Sequence, residues 1–211
     1  PFLGYIAKKG RPMIMSSAMA TMEEVENAVA AVREEGLNAV AVLQCTGNYP
    51  AKLTDTNLRV LQTYLEQLQC IVGYSDHTPD LINPIAATAM GANIYEKHFT
   101  VDRDLPGPDH RMSLNPEELK ETVQAIRNTE TALGSTIKIV LEVEKENRVK
   151  LRKSVVANVD INKGEIIQKE MLALKRPGHG IQPIDFNKVI GKTAISDVPE
   201  GSVLLFEILN D

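Results

Sequence analysis

The sequence predicts an α/β fold, the C-terminal half of a (βα)8 TIM barrel, followed by a small β domain. Between residue 13 and about residue 134, a short apolar segment is followed by a segment of helical periodicity four times over. Repetition of strand and helix gives parallel βαβ units. The glycine-rich phosphate turn of an open doubly wound sheet is absent after the first strand. Four units are too few to close a barrel, since the eight-stranded form takes about 250 residues.

The four predicted strands are brief, partly β-branched and bounded by Gly, Asn or Pro. They are MIMSS (13–17), AVAVLQC (39–45), CIVGYS (70–75) and ANIYEKHF (92–99). The opening residues PFLGYIAKKGRP have the pattern of the end of a helix and its exit turn. We therefore expect the chain to begin partway through a barrel and to keep units five to eight. Such a half would leave unpaired parallel strand edges.

The predicted helices are marked by their N-terminal residues and by apolar stripes. Thr21 and Glu24 form a capping box, and Gly36 ends that helix. The apolar positions that follow at helical spacing are Val25, Ala28, Val29 and Val32. A second stripe consists of Leu58, Leu61, Leu65 and Leu68. The last helix ends near Gly134 and starts with an N-cap, an N1 proline and an N3 acid, which are Asn115, Pro116 and Glu118.

Changes of composition set the predicted domain boundaries. Residues 1–140 form the barrel half, 141–153 a linker and 154–211 the β domain. The middle segment, LEVEKENRVKLRK, is charge-dense, which is typical of a solvated linker or helix. Two segments of the tail, DINKGEIIQKEML (160–172) and DVPEGSVLLFEIL (197–209), share an Asp, a turn Gly, two apolar residues and a Glu at matching positions. This repeat predicts a pseudo-symmetric β domain.

Composition excludes several classes of protein. The net charge of -5 and the lack of a basic stripe with interleaved aromatics give no support for a nucleic-acid partner. No apolar run approaches the ~18–20 residues of a membrane span. The two cysteines, Cys45 and Cys70, are too few for a disulfide framework, and each lies in an apolar run like a small buried hydrophobe. We expect a reducing, cytoplasmic setting.

Polar residues follow each predicted strand, at the end where parallel barrels build their sites. They are Ser16-Ser17, Gln44 to Tyr49, Ser75-Asp76-His77, and Glu96 with His98. Because side chains alternate along a strand, Ser75 should face the same way as His77, and Glu96 the same way as His98. If both pairs face inward, two imidazoles converge beside a carboxylate and a hydroxyl. Such a pair suits a divalent ion with open coordination positions.

Other interpretations of these residues stay open at this point. A histidine at a strand end can be hydrogen-bonded structure, and Glu96 can pair with Lys97 or Arg103. The Ser16-Ser17 turn can be a cap-like turn or a phosphate-binding nest. The histidines of the loops, His110 and His179, are expected to face solvent, and Pro106-Gly107-Pro108 can be a stiff loop.

Four motifs in order, GYSDHT (73–78), EKHFT (96–100), PGPDH (106–110) and RPG (176–178), resemble the sialic acid synthase family. The family includes N-acetylneuraminate, legionaminate, pseudaminate and spore-coat polysaccharide synthases. The tail from Ser154 resembles its SAF domain, also called antifreeze-like. The resemblance implies a transferase of class EC 2.5.1 with a (βα)8 barrel. Its reaction joins phosphoenolpyruvate to an N-acylmannosamine-type sugar, adds water and releases phosphate.

The resemblance also implies roles for single residues. It makes His77 and His98 the ligands of Mn²⁺, or of Mg²⁺ or Co²⁺. It makes Glu96 an active-site acid and Asp109 a carboxylate near the reacting end of the sugar. The residues that it implies in phosphate binding are Ser75 and the turn of Ser16 and Ser17. Asn48 and Tyr49 are implied in substrate binding beside Gly47, a position where the family often has Asn or Ser. Arg176 is also implied in substrate binding. In the family, that arginine reaches the sugar's N-acyl group from a neighbouring subunit, which implies a domain-swapped homodimer.

Two rival hypotheses remain. The tail could make the chain a SAF-type interaction or ice-binding module. Alternatively, the chain could be a truncated, inactive relative of the synthases, because the family's phosphoenolpyruvate-binding lysine and its glutamate belong to the first half of the barrel and have no counterpart here.

Overall fold

The computed structural model describes residues 1–210, and the chain forms two compact units, Pro1–Ser135 and a second that begins at Thr136. The helices of the first unit are α1 (Phe2–Ala7), α2 (Met22–Glu34), α3 (Val60–Gln67), α4 (Ile82–Ala89) and α5 (Pro116–Leu133). Its strands are β1 (Met13–Ser16), β2 (Val40–Cys45), β3 (Ile71–Asp76) and β4 (Ile94–Lys97). All four strands run parallel in the order β1-β2-β3-β4. The predicted alternation of strand and helix is confirmed.

Local sequence fixes where two of these helices begin. Thr21 caps α2 in a capping box with Glu24, and Asn115 caps α5 in the same way with Glu118. Each box satisfies backbone N–H groups of the first turn that have no partner inside the helix. Both starting points were predicted, because the residues that form a cap lie within one turn of each other.

The core of the first unit lies between one face of the sheet and the helices. From α2 it takes Val25, Val29 and Val32. From α3 it takes Leu61 and Tyr64, whereas Leu65 is exposed. The predicted stripe was therefore wrong at one position, where an aromatic residue one place earlier packs inward. Spacings of three and of four residues from Leu61 both fit one face of a helix, so packing against the sheet decides between them.

The second unit contains α6 (Glu142–Leu151), α7 (Phe186–Val189) and four short strands. The strands form two antiparallel pairs, β5 (Ser154–Ala157) with β6 (Leu172–Lys175), and β7 (Thr193–Ala194) with β8 (Leu209–Asn210). The charge-dense segment 141–153 forms helix α6, and its residues are exposed throughout. Among residues 1–210, no helix is long and apolar enough to cross a membrane.

The two tail repeats are related by pseudo-symmetry, as predicted. Asp160 opens the first repeat, and its Oδ1 accepts a hydrogen bond from the backbone N–H of Glu200 in the second (2.7 Å). Asp197 opens the second repeat, and its Oδ1 accepts one from the N–H of Lys163 in the first (2.8 Å). Strand pairing repeats in the same way, with Ala157 opposite Leu172 and Ala194 opposite Leu209. Each repeat thus caps a turn of the other.

Candidate active site

The ends of β3 and β4 bring a hydroxyl and a carboxylate together. The strand register places Ser75 opposite Glu96, and Ser75 Oγ donates a hydrogen bond of 2.7 Å to Glu96 Oε1. Ser75 is buried and Glu96 is exposed. Glu96 forms an ion pair neither with Lys97, which pairs with Asp76, nor with Arg103, which pairs with Glu118. The carboxylate of Glu96 therefore remains open to solvent on the side away from Ser75.

The two strand-end histidines lie one step further along the same face. The ring centroids of His77 and His98 are 5.5 Å apart, in an edge-to-face arrangement. His77 Nε2 lies 3.8 Å from the Sγ of Cys45, while the buried His77 Nδ1 has no hydrogen-bond partner among the described residues. Burying a polar atom without a partner is costly. This nitrogen is therefore a strong candidate for a bond to a ligand.

Tyr49 packs against both imidazoles. Its ring is stacked on that of His98 (centroids 4.4 Å apart) and meets that of His77 edge-on (4.6 Å). Its OH donates a hydrogen bond of 3.1 Å to the carbonyl of Met112. Burial, followed by the negative charges of Asp109 and Asp76, raises the pKa of Tyr49 to about 12. Tyr49 is therefore a neutral hydrogen-bond donor at physiological pH.

The residues present fit a divalent ion with two protein ligands. Two imidazoles that bind one ion through nitrogen at about 2.1 Å have ring centroids no more than roughly 6.5 Å apart. The observed separation of 5.5 Å lies within this limit, and His77 offers an unpartnered buried nitrogen. Among residues 1–210, no group of three or more His, Cys, Asp or Glu side chains has the arrangement of a metal site. The pair would leave most coordination positions for water and substrate.

The two serines of the Ser16-Ser17 turn, at the end of β1, have different surroundings. The hydroxyl and the backbone N–H of Ser17 both donate to the carbonyl of Leu43, at 2.8 and 3.0 Å. Ser17 is buried and serves the connection between β1 and β2, while Ser16 is exposed. Asn48 is also exposed, and its Nδ2 donates to the carbonyl of Pro50 (3.3 Å). Of the turn, only Ser16 has a hydroxyl available to a ligand.

The loop that follows β4 carries Asp109 and His110. Asp109 is exposed and precedes a short 3-10 helix, His110–Met112. The expectation that His110 faces solvent was wrong, because its Nδ1 lies 2.8 Å from Thr100 Oγ1 and its ring is half-buried. The contact between His110 and Thr100 joins two parts of the loop. The loop in turn places Asp109 where its charge acts on Tyr49.

Arg176 lies in the second unit, after β6. Its side chain is exposed, and its Nε donates a hydrogen bond of 3.1 Å to the carbonyl of Leu151. His179, three residues later, is exposed as expected. Arg176 is thus the one proposed site residue that the first unit does not contain.

Sequence reasoning missed two features of the site. Cys45 was interpreted as a small buried hydrophobe, yet its sulfur is next to His77. Asp76 and Lys97, which alternate with the site residues, form a buried ion pair on the opposite face of the sheet, with Lys97 Nζ 3.7 Å from Asp76 Oδ2. The ion pair could have been found from the alternation of side chains along a strand. The alternation that places the site residues on one face of the sheet places Asp76 and Lys97 together on the other.

Comparison with known proteins identifies the family. The model of the NeuB family matches residues 1–138, and that of the SAF domain matches residues 152–209. The chain belongs to the NeuB family. It is 42% identical to N,N'-diacetyllegionaminic acid synthase of Legionella pneumophila over 98% of this chain and 59% of that relative. It is 38% identical to N-acetylneuraminate-9-phosphate synthase of Homo sapiens, over 100% of this chain and 59% of that relative.

A solved structure agrees with this assignment. The spore coat polysaccharide biosynthesis protein SpsE of Bacillus subtilis has a TM-score of 0.60 and 33% identity to this NeuB-family chain, over 100% of this chain and 64% of that one. The chain therefore spans about three fifths of the length of the relatives it matches. The matches extend over both units, so they support a synthase family and a SAF domain in one chain.

Proposed function

We propose that this NeuB-family chain is part of a synthase that condenses phosphoenolpyruvate with an N-acylmannosamine-type sugar. The product is a sialic-acid-like nonulosonate, and phosphate is released. The observation that carries the proposal is the pair of imidazoles, His77 and His98, whose rings meet edge-to-face beside the hydrogen bond from Ser75 to Glu96. The names of the relatives, which are synthases of legionaminic acid and of N-acetylneuraminate 9-phosphate, support the same class of reaction.

The proposed metal ligands are His77 and His98, and the proposed ion is Mn²⁺, with Mg²⁺ or Co²⁺ as substitutes. A divalent ion held in this way supplies Lewis acidity to a carbonyl oxygen, here that of the sugar aldehyde. Tyr49, stacked on the ring of His98 and edge-on to that of His77, keeps the imidazoles in place.

The roles proposed for the remaining residues are those that the resemblance to the synthases implies. Ser16 donates a hydroxyl hydrogen bond to the phosphate of phosphoenolpyruvate, and Ser75 donates one when its hydroxyl turns from Glu96 to the phosphate. Ser17, bonded to the carbonyl of Leu43, holds the turn in place. Glu96, open to solvent on one side, and Asp109 are the two carboxylates proposed to position the attacking water and to move protons. Asp109, exposed on its loop, is proposed to lie near the reacting end of the sugar, and Asn48, also exposed, to contribute a side-chain amide.

The first unit is proposed to be half of a (βα)8 barrel. Both outer strands of its sheet, β1 and β4, have a neighbour on one side only within the described residues. At the amino ends of the strands, an apolar cavity of about 720 Å³ is lined in part by Ile14 and Ile71, which are 58% and 53% exposed. Four further strands would pair both edges and cover these side chains. Activity is accordingly proposed to require those strands.

The test is phosphate release from phosphoenolpyruvate and N-acetylmannosamine in the presence of Mn²⁺. We expect release from a chain that spans the full length of the relatives, and none from the 211-residue chain alone, since lost positioning costs several orders of magnitude in rate. Replacement of both ligands, His77→Ala with His98→Ala, should abolish release by the longer chain and Mn²⁺ binding in a calorimetric titration.

His179→Ala is the matched control, because it removes an exposed histidine of the second unit. Equal Mn²⁺ affinity in the double variant and the unmodified protein would refute the metal site. Release at a near-normal rate by the 211-residue chain would refute the need for further strands. No release by the longer chain would favour an inactive relative or a SAF-type binding module.

A further inference from the structure

The reverse face of the sheet carries a buried ion pair directly behind the candidate site. Asp76 and Lys97 are register partners on β3 and β4, and the exposed fractions of their side chains are 0% and 3%. Each lies between two site residues, Asp76 between Ser75 and His77, and Lys97 between Glu96 and His98. The pair therefore belongs to the same stretch of backbone as the site but faces away from it.

The carboxylate of Asp76 connects three elements. Its Oδ1 accepts hydrogen bonds from the backbone N–H and the hydroxyl of Thr78, both at 2.8 Å, and from Asn83 Nδ2 in the first turn of α4 at 3.4 Å. Its Oδ2 accepts one of 2.6 Å from the OH of Tyr95 on β4. Lys97 Nζ donates to the carbonyl of Thr78. β3, the loop after it, α4 and β4 thus meet at one charged group.

These contacts fix the backbone on the C-terminal side of His77. The N–H of Thr78 is held by Asp76 and its carbonyl by Lys97. The carbonyl of His77 itself accepts a hydrogen bond of 2.8 Å from the N–H of Ala51. The imidazole, by contrast, is only weakly oriented by side chains, since Nδ1 is unpartnered and the contact of Nε2 is a long one, 3.8 Å, to the sulfur of Cys45.

A buried ion pair is weak evidence for a gain in stability. Moving two charges out of water costs more than their attraction often returns, and apolar pairs of the same volume are frequently as stable or more so. Burial lowers the pKa of the Lys97 ammonium, and the attraction of Asp76 offsets this only in part. A charged pair in such a place needs a reason other than the free energy of folding.

We propose that Asp76 and Lys97 are positioning residues that set the distance between the His77 and His98 rings without touching substrate or metal. Metal-binding histidines usually take their orientation from a hydrogen bond to the ring. Here the orientation comes from the backbone, through the two clamps on Thr78 and the register of β3 with β4. The inference deepens the proposed function, because it concerns the same two ligands.

The test uses a chain that spans the full length of the relatives and a paired variant of it, Asp76→Asn with Lys97→Met. The pair of changes removes both charges, so neither is left buried and uncompensated, and the asparagine keeps an oxygen for Thr78. Two readouts are measured besides thermal stability. The first is the set of nuclear Overhauser contacts of the Tyr49 ring with the rings of His77 and His98. The second is the affinity for Mn²⁺ alone, by calorimetric titration.

We expect the paired variant to retain its unfolding temperature, to lose the ring contacts of His77, and to bind Mn²⁺ about 10–100-fold more weakly. Tyr95→Phe, which removes one hydrogen bond to Asp76 and leaves both charges, should give an intermediate loss and decides the matter if the paired variant does not fold. The control pair is Lys8→Met with Glu35→Gln, an ion pair of the same unit away from the site. It should leave both readouts unchanged.

Ring contacts and Mn²⁺ affinity within twofold of the unmodified protein in the paired variant, or in Tyr95→Phe if only that folds, would overturn the proposal. If the unmodified protein binds no Mn²⁺, the metal proposal fails, and the ring contacts still decide whether the pair positions the histidines.

Discussion

Tyr49 connects the two imidazoles of the site to the loop that carries Asp109. Its ring touches both histidines, and its OH reaches the carbonyl of Met112. The raised pKa has a consequence for stability. An unfolded tyrosine ionises near pH 10, whereas Tyr49 in the folded chain ionises near pH 12. Protonated Tyr49 therefore stabilises the fold below about pH 10, and this contribution is lost as the pH rises from about 10 to about 12.

We predict that Tyr49→Phe flattens the alkaline fall in stability. Between about pH 10 and pH 12, the free energy of unfolding of the unmodified protein should decrease more steeply with pH than that of the variant. The difference between the two slopes corresponds to the release of one proton on unfolding. Urea denaturation at several pH values in this interval measures both slopes. The other buried tyrosines are common to both proteins and cancel in the difference. Identical slopes would show that the Tyr49 OH is not buried as described.

The face of the sheet on which each site residue lies could be predicted, because side chains alternate between the two faces along a strand. Alternation alone places Ser75 with His77 and Glu96 with His98, and the register then brings the two pairs together. The contacts of Tyr49, Cys45 and His110 could not be predicted in the same way. Each depends on where a loop or a neighbouring strand end arrives in space, and no local spacing encodes that.

Among the elements, β3 depends on a glycine for its contact with both neighbours. A Cβ on Gly73 would lie 2.4 Å from the carbonyl oxygen of Ile94 on β4 and 2.5 Å from a methyl carbon of Leu43 on β2. Gly73 pairs with both of these residues in the sheet. The backbone oxygen cannot move away without breaking the register. The glycine is therefore required by close approach and not by its backbone angles.

We predict that Gly73→Ala lowers the free energy of unfolding by about 1–3 kcal/mol, the usual cost of overpacking a core. Denaturation in urea measures the change. Gly4→Ala is the control, because the nearest atom to its added Cβ is the flexible end of the Glu35 side chain and alanine favours helix α1. The control should be neutral or slightly stabilising. An equal loss in both variants would contradict the argument from β3.

Element boundaries were predictable where their determinants are local. The capping boxes of α2 and α5 lie within single turns, and the structure has both. The buried face of α3 was not, since the choice between Tyr64 and Leu65 depends on the shape of the sheet beneath it. Sequence spacing predicts how often a buried residue recurs along a helix, whereas tertiary packing decides which residues those are.

For the whole molecule, the repeat in the tail was the most informative pattern in the sequence. The same residue type, Asp160 or Asp197, recurs at the start of each repeat because each caps a turn of the other. Pseudo-symmetry could thus be predicted from two aligned segments. No such pattern relates the tail to the first unit, and the resemblance to the synthases alone suggested that Arg176 acts on the barrel of a partner.

We propose that the full-length protein is a domain-swapped homodimer in which Arg176 reaches the sugar of the partner's site. Its guanidinium is exposed, and only its Nε has a hydrogen-bond partner among the described residues, so the two terminal nitrogens are available. A planar fork of donors suits an amide oxygen of an N-acyl group better than the point charge of a lysine. By itself, an exposed arginine on a small β domain is ordinary.

In a chain of the relatives' full length, Arg176→Ala should raise the KM for the sugar and lower kcat/KM. The corresponding loss of transition-state stabilisation should be about 1.5–3 kcal/mol, the range for a hydrogen bond to a charged group. The KM for phosphoenolpyruvate should hardly change, and Arg176→Lys should restore little. Mixing Arg176→Ala with the His77→Ala, His98→Ala variant decides the architecture. In a mixed swapped dimer, one site receives intact histidines from one subunit and an intact arginine from the other, so part of the activity returns. If heterodimers form and no activity returns, each SAF domain serves its own barrel and the swapped arrangement is wrong.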